Sequence, residues 1–239
     1  MQAAQLAEAT ETEQLDLAQI PLRAVNQALQ NIREGANATV WEVLNPGGSH
    51  AVAAGLDQPI TVNIRGNVGY YCGGMNQQAN ITVHGSAGPG VGENMMSGSI
   101  HIKGDASQYA GATAHGGLLV IDGNASSRCG ISMKGVDIVV GGNIGHMSAF
   151  MAQAGNLVVL GDAGDALGDS LYEAKLFVRG KVKSLGSDCV EKEMRPEHLK
   201  LLADLLKRAG MQGVKPEEFR RYGSARKLYN FHIDNADAY

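Results

Sequence analysis

Two consecutive stretches of the chain, ITVHGSAGPGVGENMMSGS at residues 81–99 and IHIKGDASQYAGATAHGGL at residues 100–118, follow one pattern. Each opens with an apolar residue, a variable residue and a β-branched residue, and each has glycine at its fifth position. The pattern recurs in seven segments spaced by 19 residues, which begin at Val62, Ile81, Ile100, Leu119, Ile138, Leu157 and Leu176. An internal repeat of about this length is typical of solenoid proteins.

The columns of this repeat predict a coil of short parallel strands. Positions one and three are apolar in every segment, and residues two apart share one face of a strand, so this face points inward. The period is too short for a strand–helix–strand unit, and the glycine-rich second halves are poor helix formers. We therefore predict an all-β fold. It is a right-handed parallel β-helix, a single-stranded solenoid of 19-residue turns, with flanking α-helices.

Glycine stands at position five of all seven segments, and a small polar residue often follows it. Such a glycine permits either a positive φ or a close approach of two backbones that a Cβ would block. The Asn and Asp residues that follow suit turns, because their side chains hydrogen-bond nearby backbone; they are Asn67, Asp105, Asn124, Asn143 and Asp162. The segment VLNPG, Val43 to Gly47, falls one period before the first turn and is a candidate leading turn.

Two amphipathic helices are predicted on either side of the coil. Residues 21–34 begin with a proline, end before Gly35, and place Leu22, Val25, Leu29 and Ile32 on one face. Residues 196–209 again begin with proline and stop before a glycine, with an apolar stripe of Leu199, Leu202 and Leu206. Because an open β-helix end exposes unpaired strand edges, we expect this second helix to lie across that end as a cap.

The predicted organisation has three parts. Residues 1–61 form an N-terminal arm with a helix and a leading strand, residues 62–194 form the seven-turn coil, and residues 195–239 form a capping helix and a partner-binding tail. The tail contains Phe219, Tyr222, Leu228, Tyr229 and Phe231 without a core of its own. Both this tail and residues 1–20 either reach a partner or pack on this chain, and the sequence leaves the two alternatives open.

Composition excludes several classes of protein. The chain has a net charge of −4 and no basic stripe, so it lacks the footprint of a nucleic-acid binder. It contains no apolar run of about 18 residues and no N-terminal pattern of a secretory signal. Its three cysteines, Cys72, Cys129 and Cys189, are too few for a disulfide framework. We expect a cytoplasmic protein that binds neither nucleic acid nor membranes.

Candidate chemical groups do not converge in this repeat. His84, His101, His115 and His146 fall at four different positions of their turns, so we expect them to point in four directions and to form no zinc site. Cys72 and Cys129 share position eleven, but they lie three turns apart, about 14 Å at the stacking distance of strands. A disulfide needs Cα atoms within about 7 Å, so both are predicted to be free thiols.

Three further stretches contain residues that could form a functional site, but each also has a purely structural interpretation. GSAGPGVGE at residues 85–93 looks like a phosphate-binding loop but lacks the P-loop lysine, and its glycines fall partly in the repeat columns. CGGMNQQAN at residues 72–80 places Met75, Asn76, Gln77 and Gln78 together, as a ligand site or a structural amide ladder would. The carboxylates of one turn are expected to form a solvated face; they are Asp162, Asp165, Asp169 and Glu173.

We therefore predict no catalytic, cofactor-binding or metal-binding residue on this chain. A β-helix enzyme that cleaves polysaccharides would need paired carboxylates or basic groups in one column of neighbouring turns, and the sequence shows no such column. A structural or interaction module within a larger assembly is the favoured alternative.

The whole repeat array resembles a known family. GNVGYYCGGMNQQANITVHGSAGPGVGENMMSGSIHIKGDAS at residues 66–107 and GGLLVIDGNASSRCGISMKGVDIVVGGNIGHMSAFMAQAGNLVVLGDAGDALGDSLYEA at residues 116–174 are similar to the GXGXG domain of the glutamate synthase large subunit. That family includes a formylmethanofuran dehydrogenase subunit and the free-standing third subunit of N-methylglutamate synthase, also called methylamine–glutamate N-methyltransferase. The leading LDLAQIPLRAVNQAL and the terminal KLYNF look most like this last subunit.

The resemblance implies a β-helix without catalytic residues of its own. It implies two partners, a class-II glutamine amidotransferase-like subunit and a synthase subunit that carries FMN and an iron–sulfur cluster, in a hetero-oligomer that converts methylamine and glutamate to N-methylglutamate and ammonia. The chain starts MQAAQ, without an N-terminal Cys nucleophile, and lacks the cysteine spacing of an iron–sulfur site. The alternatives are the same role in glutamate synthase proper, which uses glutamine and 2-oxoglutarate, or a carbohydrate-active β-helix.

Overall fold

The computed structural model describes residues 11–31 and 38–227. Its secondary structure begins with β1 (Glu11–Asp16), α1 (Leu22–Gln30), β2 (Ala38–Leu44), β3 (Thr61–Arg65), β4 (Asn80–Val83), β5 (Ser99–Ile102) and β6 (Leu118–Ile121). It continues with β7 (Lys134–Val140), β8 (Ala154–Val159), β9 (Lys175–Val178), β10 (Cys189–Lys192), α2 (Pro196–Arg208), a 3-10 turn (Pro216–Glu218) and β11 (Arg220–Ser224). The strands of this described part form one sheet in the order β1-β2-β3-β4-β5-β6-β7-β8-β9-β11-β10.

The predicted parallel coil is confirmed in its register. Val62 pairs with Ile81, Ile81 with Ile100, and each later turn pairs with the next at the same 19-residue offset. The side chains at positions one and three are buried in the interior of the coil, as their apolar character predicts. A continuous apolar core therefore fills the coil along its length. The right hand of the coil stays a prediction.

The leading turn exists, but its predicted register is wrong. Trp41 pairs with Val62, and Val43 pairs with Ile64, so position one of this turn is Trp41. The offset from Trp41 to Val62 is 62 − 41 = 21 residues, two more than the repeat. The strand is followed by a loop with left-handed backbone at Asn45, Gly47 and Gly48, which bends the chain before the ordinary turn resumes.

Position twelve of the repeat has left-handed backbone in turns one to six and needs a small residue there. Gly73, at this position, has a φ of 63°, and a Cβ built on it would lie 2.7 Å from Cδ1 of Ile100 in the core. Glycine meets both conditions, because it adopts positive φ freely and leaves room for the isoleucine. Two residues in this column are not glycine: Ala149 of turn five, with a φ of 58°, and Ser187 of turn seven.

The first end of the coil is covered by α1. Val25 and Leu29 are fully buried in the same core that fills the coil. The Asn26 side chain accepts a hydrogen bond from the Ala53 amide and donates one to the Ala51 carbonyl, so it satisfies backbone groups of the leading turn. The helix begins after Pro21 as predicted but ends at Gln30, earlier than expected, and Ile32 lies outside the described residues. α1 thus takes the capping role that we had assigned to α2.

The second helix lies along the side of the coil rather than across its end. Leu202, Leu205 and Leu206 of α2 pack on the outer face of the sheet in a second apolar cluster. The sheet residues in this cluster include Val120, Val139, Val158 and Phe177, at position two of four successive turns. Burial of this apolar column explains where the helix lies, because an exposed row of large apolar side chains is costly in water.

The last turn is followed by a strand that reverses direction. β11 pairs antiparallel with β9 on one side and with β10 on the other. Phe219 and Tyr222 are buried, at 5% and 4% exposure, so this part of the tail packs against the rest of this chain. Residues 11–16 likewise pair with β2. Leu228, Tyr229 and Phe231 lie outside the described residues.

Candidate functional site

A ladder of side-chain oxygens runs along one corner of the coil at position six. Asn124 Oδ1 accepts a hydrogen bond from the Asn143 amide at 2.9 Å, and Asn143 Oδ1 accepts one from the Asp162 amide at 2.7 Å. The same bond joins the other neighbouring turns, with Ser86 Oγ as the acceptor in one of them. The sequence predicted that these polar side chains hydrogen-bond backbone of their own turn. The structure shows instead that they hydrogen-bond the backbone of the next turn.

The outer face of strands β2 to β6 carries a polar stripe, which we define as Glu42, Arg65, His84, His101, Lys103 and Asp122. Arg65 forms an ion pair with Glu42, and its Nη1 lies 3.1 Å from Nε2 of His84. Asp122 lies 2.6 Å from His101 Nε2 and 3.3 Å from Lys103 Nζ. The stripe thus consists of charged and imidazole side chains that contact each other across neighbouring turns.

The two imidazoles of the polar stripe correct one prediction. His84 and His101 stand at positions four and two, which both face outward from the strand, so two of the four histidines share a face. Partial burial and the nearby Arg65 and Lys103 lower the pKa of His84, because both effects disfavour the imidazolium. Neutral His84 can then accept a hydrogen bond from Arg65.

No group of three or more His, Cys, Asp or Glu side chains in the described part of the chain could hold a metal ion. The predicted free thiols are confirmed, since Cys72 and Cys129 are both unpaired and fully buried. Burial raises the pKa of each of these two thiols to about 12, because the thiolate is poorly solvated in the core. Neither thiol is therefore a nucleophile at neutral pH.

The stretches that resembled ligand loops have structural roles in the coil. A Cβ at Gly85 would lie 2.6 Å from the backbone of Gly66, and Gly92 has left-handed backbone at position twelve. Asn76 is fully buried; its amide donates to the Ala79 carbonyl at 2.8 Å and its oxygen accepts from the Ala79 amide. Gln77 and Gln78 are exposed.

The carboxylates of the sixth turn are engaged in separate interactions. Asp162 accepts the Lys181 amide in the position-six ladder, and Asp165 lies 2.7 Å from Lys183 Nζ. Asp169 accepts bonds from the Ser170 hydroxyl and the Ser187 amide, and Glu173 pairs with Arg226. They are thus bound to neighbouring turns or to the C-terminal segment rather than aimed at one point.

With this geometry in view, comparison with known proteins assigns the family. The GXGXG motif family matches residues 26–211. The chain belongs to the GXGXG family. This confirms the glutamate synthase GXGXG-domain resemblance predicted from the repeat array and makes the chain a glutamate synthase-like protein. The chain is also 73% identical to Protein GlxC of Rhizobium meliloti (strain 1021) over 225 residues. This aligned region covers 94% of this chain and 99% of that protein.

Among the residues described for this GXGXG chain, no helix is both long and apolar enough to cross a membrane.

Sequence reasoning missed the polar stripe, although one signal for it was present. Positions two and four both face outward. Position two is polar in the first three turns and apolar from Val120 onward, and position four is polar in the first four turns, through Asp122.

Proposed function

We propose that this chain is the structural, non-catalytic subunit of a hetero-oligomeric glutamate synthase-like complex in the cytoplasm. The observation that carries the proposal is the repeat array itself, which matches the GXGXG family over residues 26–211 and folds as a filled coil with long outer faces. A filled coil held by hydrogen bonds between turns is stiff, since each turn contacts its neighbours along the whole circumference. Such a body suits the task of holding other subunits at a fixed separation.

The complex that we propose is an N-methylglutamate synthase. In it, a class-II glutamine amidotransferase-like subunit and an FMN- and iron–sulfur-bearing synthase subunit are held by this chain. The overall reaction exchanges methylamine and glutamate for N-methylglutamate and ammonia. The resemblance of residues 15–29 and 227–231 to the free-standing subunit supports this choice over glutamate synthase proper.

Co-purification tests the proposal. An affinity-tagged copy of the full chain, expressed in its own cells, is expected to bring down two further polypeptides and the visible absorbance of a flavin. A colourless chain that purifies alone under conditions of mild salt would contradict the subunit role.

Activity assays on the purified complex then separate the candidate reactions. Turnover of methylamine with glutamate identifies N-methylglutamate synthase, whereas turnover of glutamine with 2-oxoglutarate identifies glutamate synthase. Polysaccharide cleavage by the isolated chain would support the carbohydrate-active alternative instead.

A further inference from the structure

A second outer face of the coil is formed by residues with left-handed backbone. In turns one to five, the non-glycine side chains at positions ten and fourteen have φ between 51° and 64°. The large apolar and charged ones define what we name the ten–fourteen face: Tyr71, Tyr109, Arg128 and Met147 at position ten, and Met75 and Met151 at position fourteen. Asn or Gly adopts this backbone at lower cost, so the bulk of these side chains is not explained by local conformation.

The composition of the ten–fourteen face is that of a protein interface. Tyr, Met and Arg are enriched at the centres of such interfaces, and most other charged residues are depleted there. Met75 is 49% exposed and Met151 is 37% exposed, while Tyr109 and Met147 are half-buried. The face therefore presents apolar surface to water over five turns, about 24 Å along the coil at the spacing of stacked strands.

Two opposite charges on this face have no ion-pair partner within the described residues. The carboxylate of Glu93 lies over position ten of turn two, where a Cβ on Gly90 would be 2.8 Å from Glu93 Oε2. The Arg128 guanidinium occupies position ten of turn four and lies 5.9 Å from the ring centre of Tyr109. Partial burial also raises the pKa of Glu93, as expected for a carboxylate that has lost water without gaining a partner.

The arrangement of these groups is symmetric about turn three. Glu93 and Arg128 lie one turn before and one turn after Tyr109. Likewise, Tyr71 and Met75 of turn one match Met147 and Met151 of turn five. A twofold axis that lies in the plane of the face, at right angles to the coil and through turn three, exchanges each group with its counterpart.

We propose that the chain forms an antiparallel homodimer through the ten–fourteen face, with Glu93 of each copy paired to Arg128 of the other. In this arrangement Met75 faces Met151, Tyr71 faces Met147, and the two Tyr109 side chains meet at the axis. Sulfur–aromatic contacts and burial of apolar area stabilise the centre, and the two ion pairs set the register.

The charge pattern favours a second copy in this one orientation. An axis parallel to the coil would place turn two against turn two and leave both charges unmatched. A closed twofold interface of this kind uses the same patch on both subunits, which is what self-complementary charges require. Five turns form a patch at the small end of stable interfaces, so we expect a dimer whose population depends on concentration.

Charge reversal tests this inference, which is independent of the proposed function because it concerns this chain's own mass. The full chain, with a monomer mass of 25.1 kDa, is expected to reach twice that mass in sedimentation equilibrium as its concentration rises. Glu93→Arg and Arg128→Glu should each weaken the dimer at least about tenfold, because each sets like charges opposite each other at two places.

The decisive sample is the equimolar mixture of the two variants. In the mixed dimer both contacts again join opposite charges, so the mixture and the double variant should regain the dimer. Lys134→Glu, an equal charge change at an exposed position of the same turn as Arg128, should leave it unchanged. Circular dichroism of each variant shows that it is folded.

Three results would overturn the inference: a wild-type chain that stays monomeric at all concentrations, single variants that dimerise as well as the wild type, or a mixture that stays monomeric while both variants are folded. A monomeric wild type whose co-purifying partners are lost on Glu93→Arg would assign the face to a different protein.

Discussion

At Gly142 the backbones of two successive turns meet more closely than a side chain allows. A Cβ there would lie 2.5 Å from Asn124 Oδ1 and 2.9 Å from the carbonyl carbon of Gly123. The φ of Gly142 is not in the left-handed region, so the column-five glycines of the middle turns are there for close approach rather than for conformation. Of the two roles that the sequence allowed for this glycine, packing of the turns selects the second.

Substitution of Gly142 therefore tests the close approach. Gly142→Ala is expected to lower the free energy of unfolding by about 1–3 kcal/mol, because the added methyl group forces two turns apart. Gly223→Ala is the matched control, since a Cβ at Gly223 has its nearest neighbour at 3.6 Å. Urea denaturation followed by circular dichroism measures both, and an equal effect at the two positions would contradict the packing argument.

At the scale of elements, the bounds of α2 were predicted well, but its predicted position was wrong. The periodicity of residues 196–209 and the proline at its start predicted α2 almost to its observed bounds, Pro196–Arg208. Its place depends on the position-two column, where Val120, Val139, Val158 and Phe177 form an apolar row. These apolar residues could be identified in the sequence. They form one continuous surface only because the turns of the coil stack on each other.

The N-terminus of α2 should make the stability of the chain depend on pH. His198 is 9% exposed, and its Nδ1 accepts a hydrogen bond from the Arg195 amide at 3.2 Å. Burial, followed by the charge of Arg221, lowers the pKa of His198 below its ordinary value of 6.5. The folded state thus binds fewer protons than the unfolded state, so this contribution to stability is complete above about pH 6.5 and is lost as the pH falls.

The replacement His198→Gln tests this dependence. Glutamine can still accept the Arg195 amide but cannot titrate, so unfolding free energies measured by urea denaturation between about pH 7.5 and 5 should fall less steeply than in the wild type. His115→Gln, at an exposed position of the third turn, is the control and should keep the wild-type slope. Equal slopes in all three proteins would show that His198 does not contribute.

At the scale of the whole molecule, stability is a sum of nearly identical turns. Each turn buries the same columns against its neighbours, and the strands pair at a constant 19-residue offset. A solenoid of this kind behaves as a one-dimensional stack in which whole repeats are interchangeable. Register is strict, because a shift of one residue would turn a strand's apolar side chains outward.

Deletion of a complete turn should therefore be tolerated better than deletion of half a turn. Removing residues 81–99 joins Asn80 directly to Ile100 and restores every column, so this shortened chain should fold and unfold cooperatively. Removing only residues 81–90 leaves half a turn without a place in the stack and should abolish folding. Thermal unfolding followed by circular dichroism compares the two, and equal behaviour would contradict the interchangeability of turns.

The sequence by itself determined the coil, its period and its family. The reason is that each turn contacts the next at equivalent positions, so the same residue types recur every 19 residues. The tertiary structure alone decided how the flanks close the coil, where α2 lies, and that Asn124 bonds the next turn rather than its own. It also decided that Glu93 and Arg128 lie on one face. These features depend on side chains far apart in the chain that share a surface only after the turns have stacked.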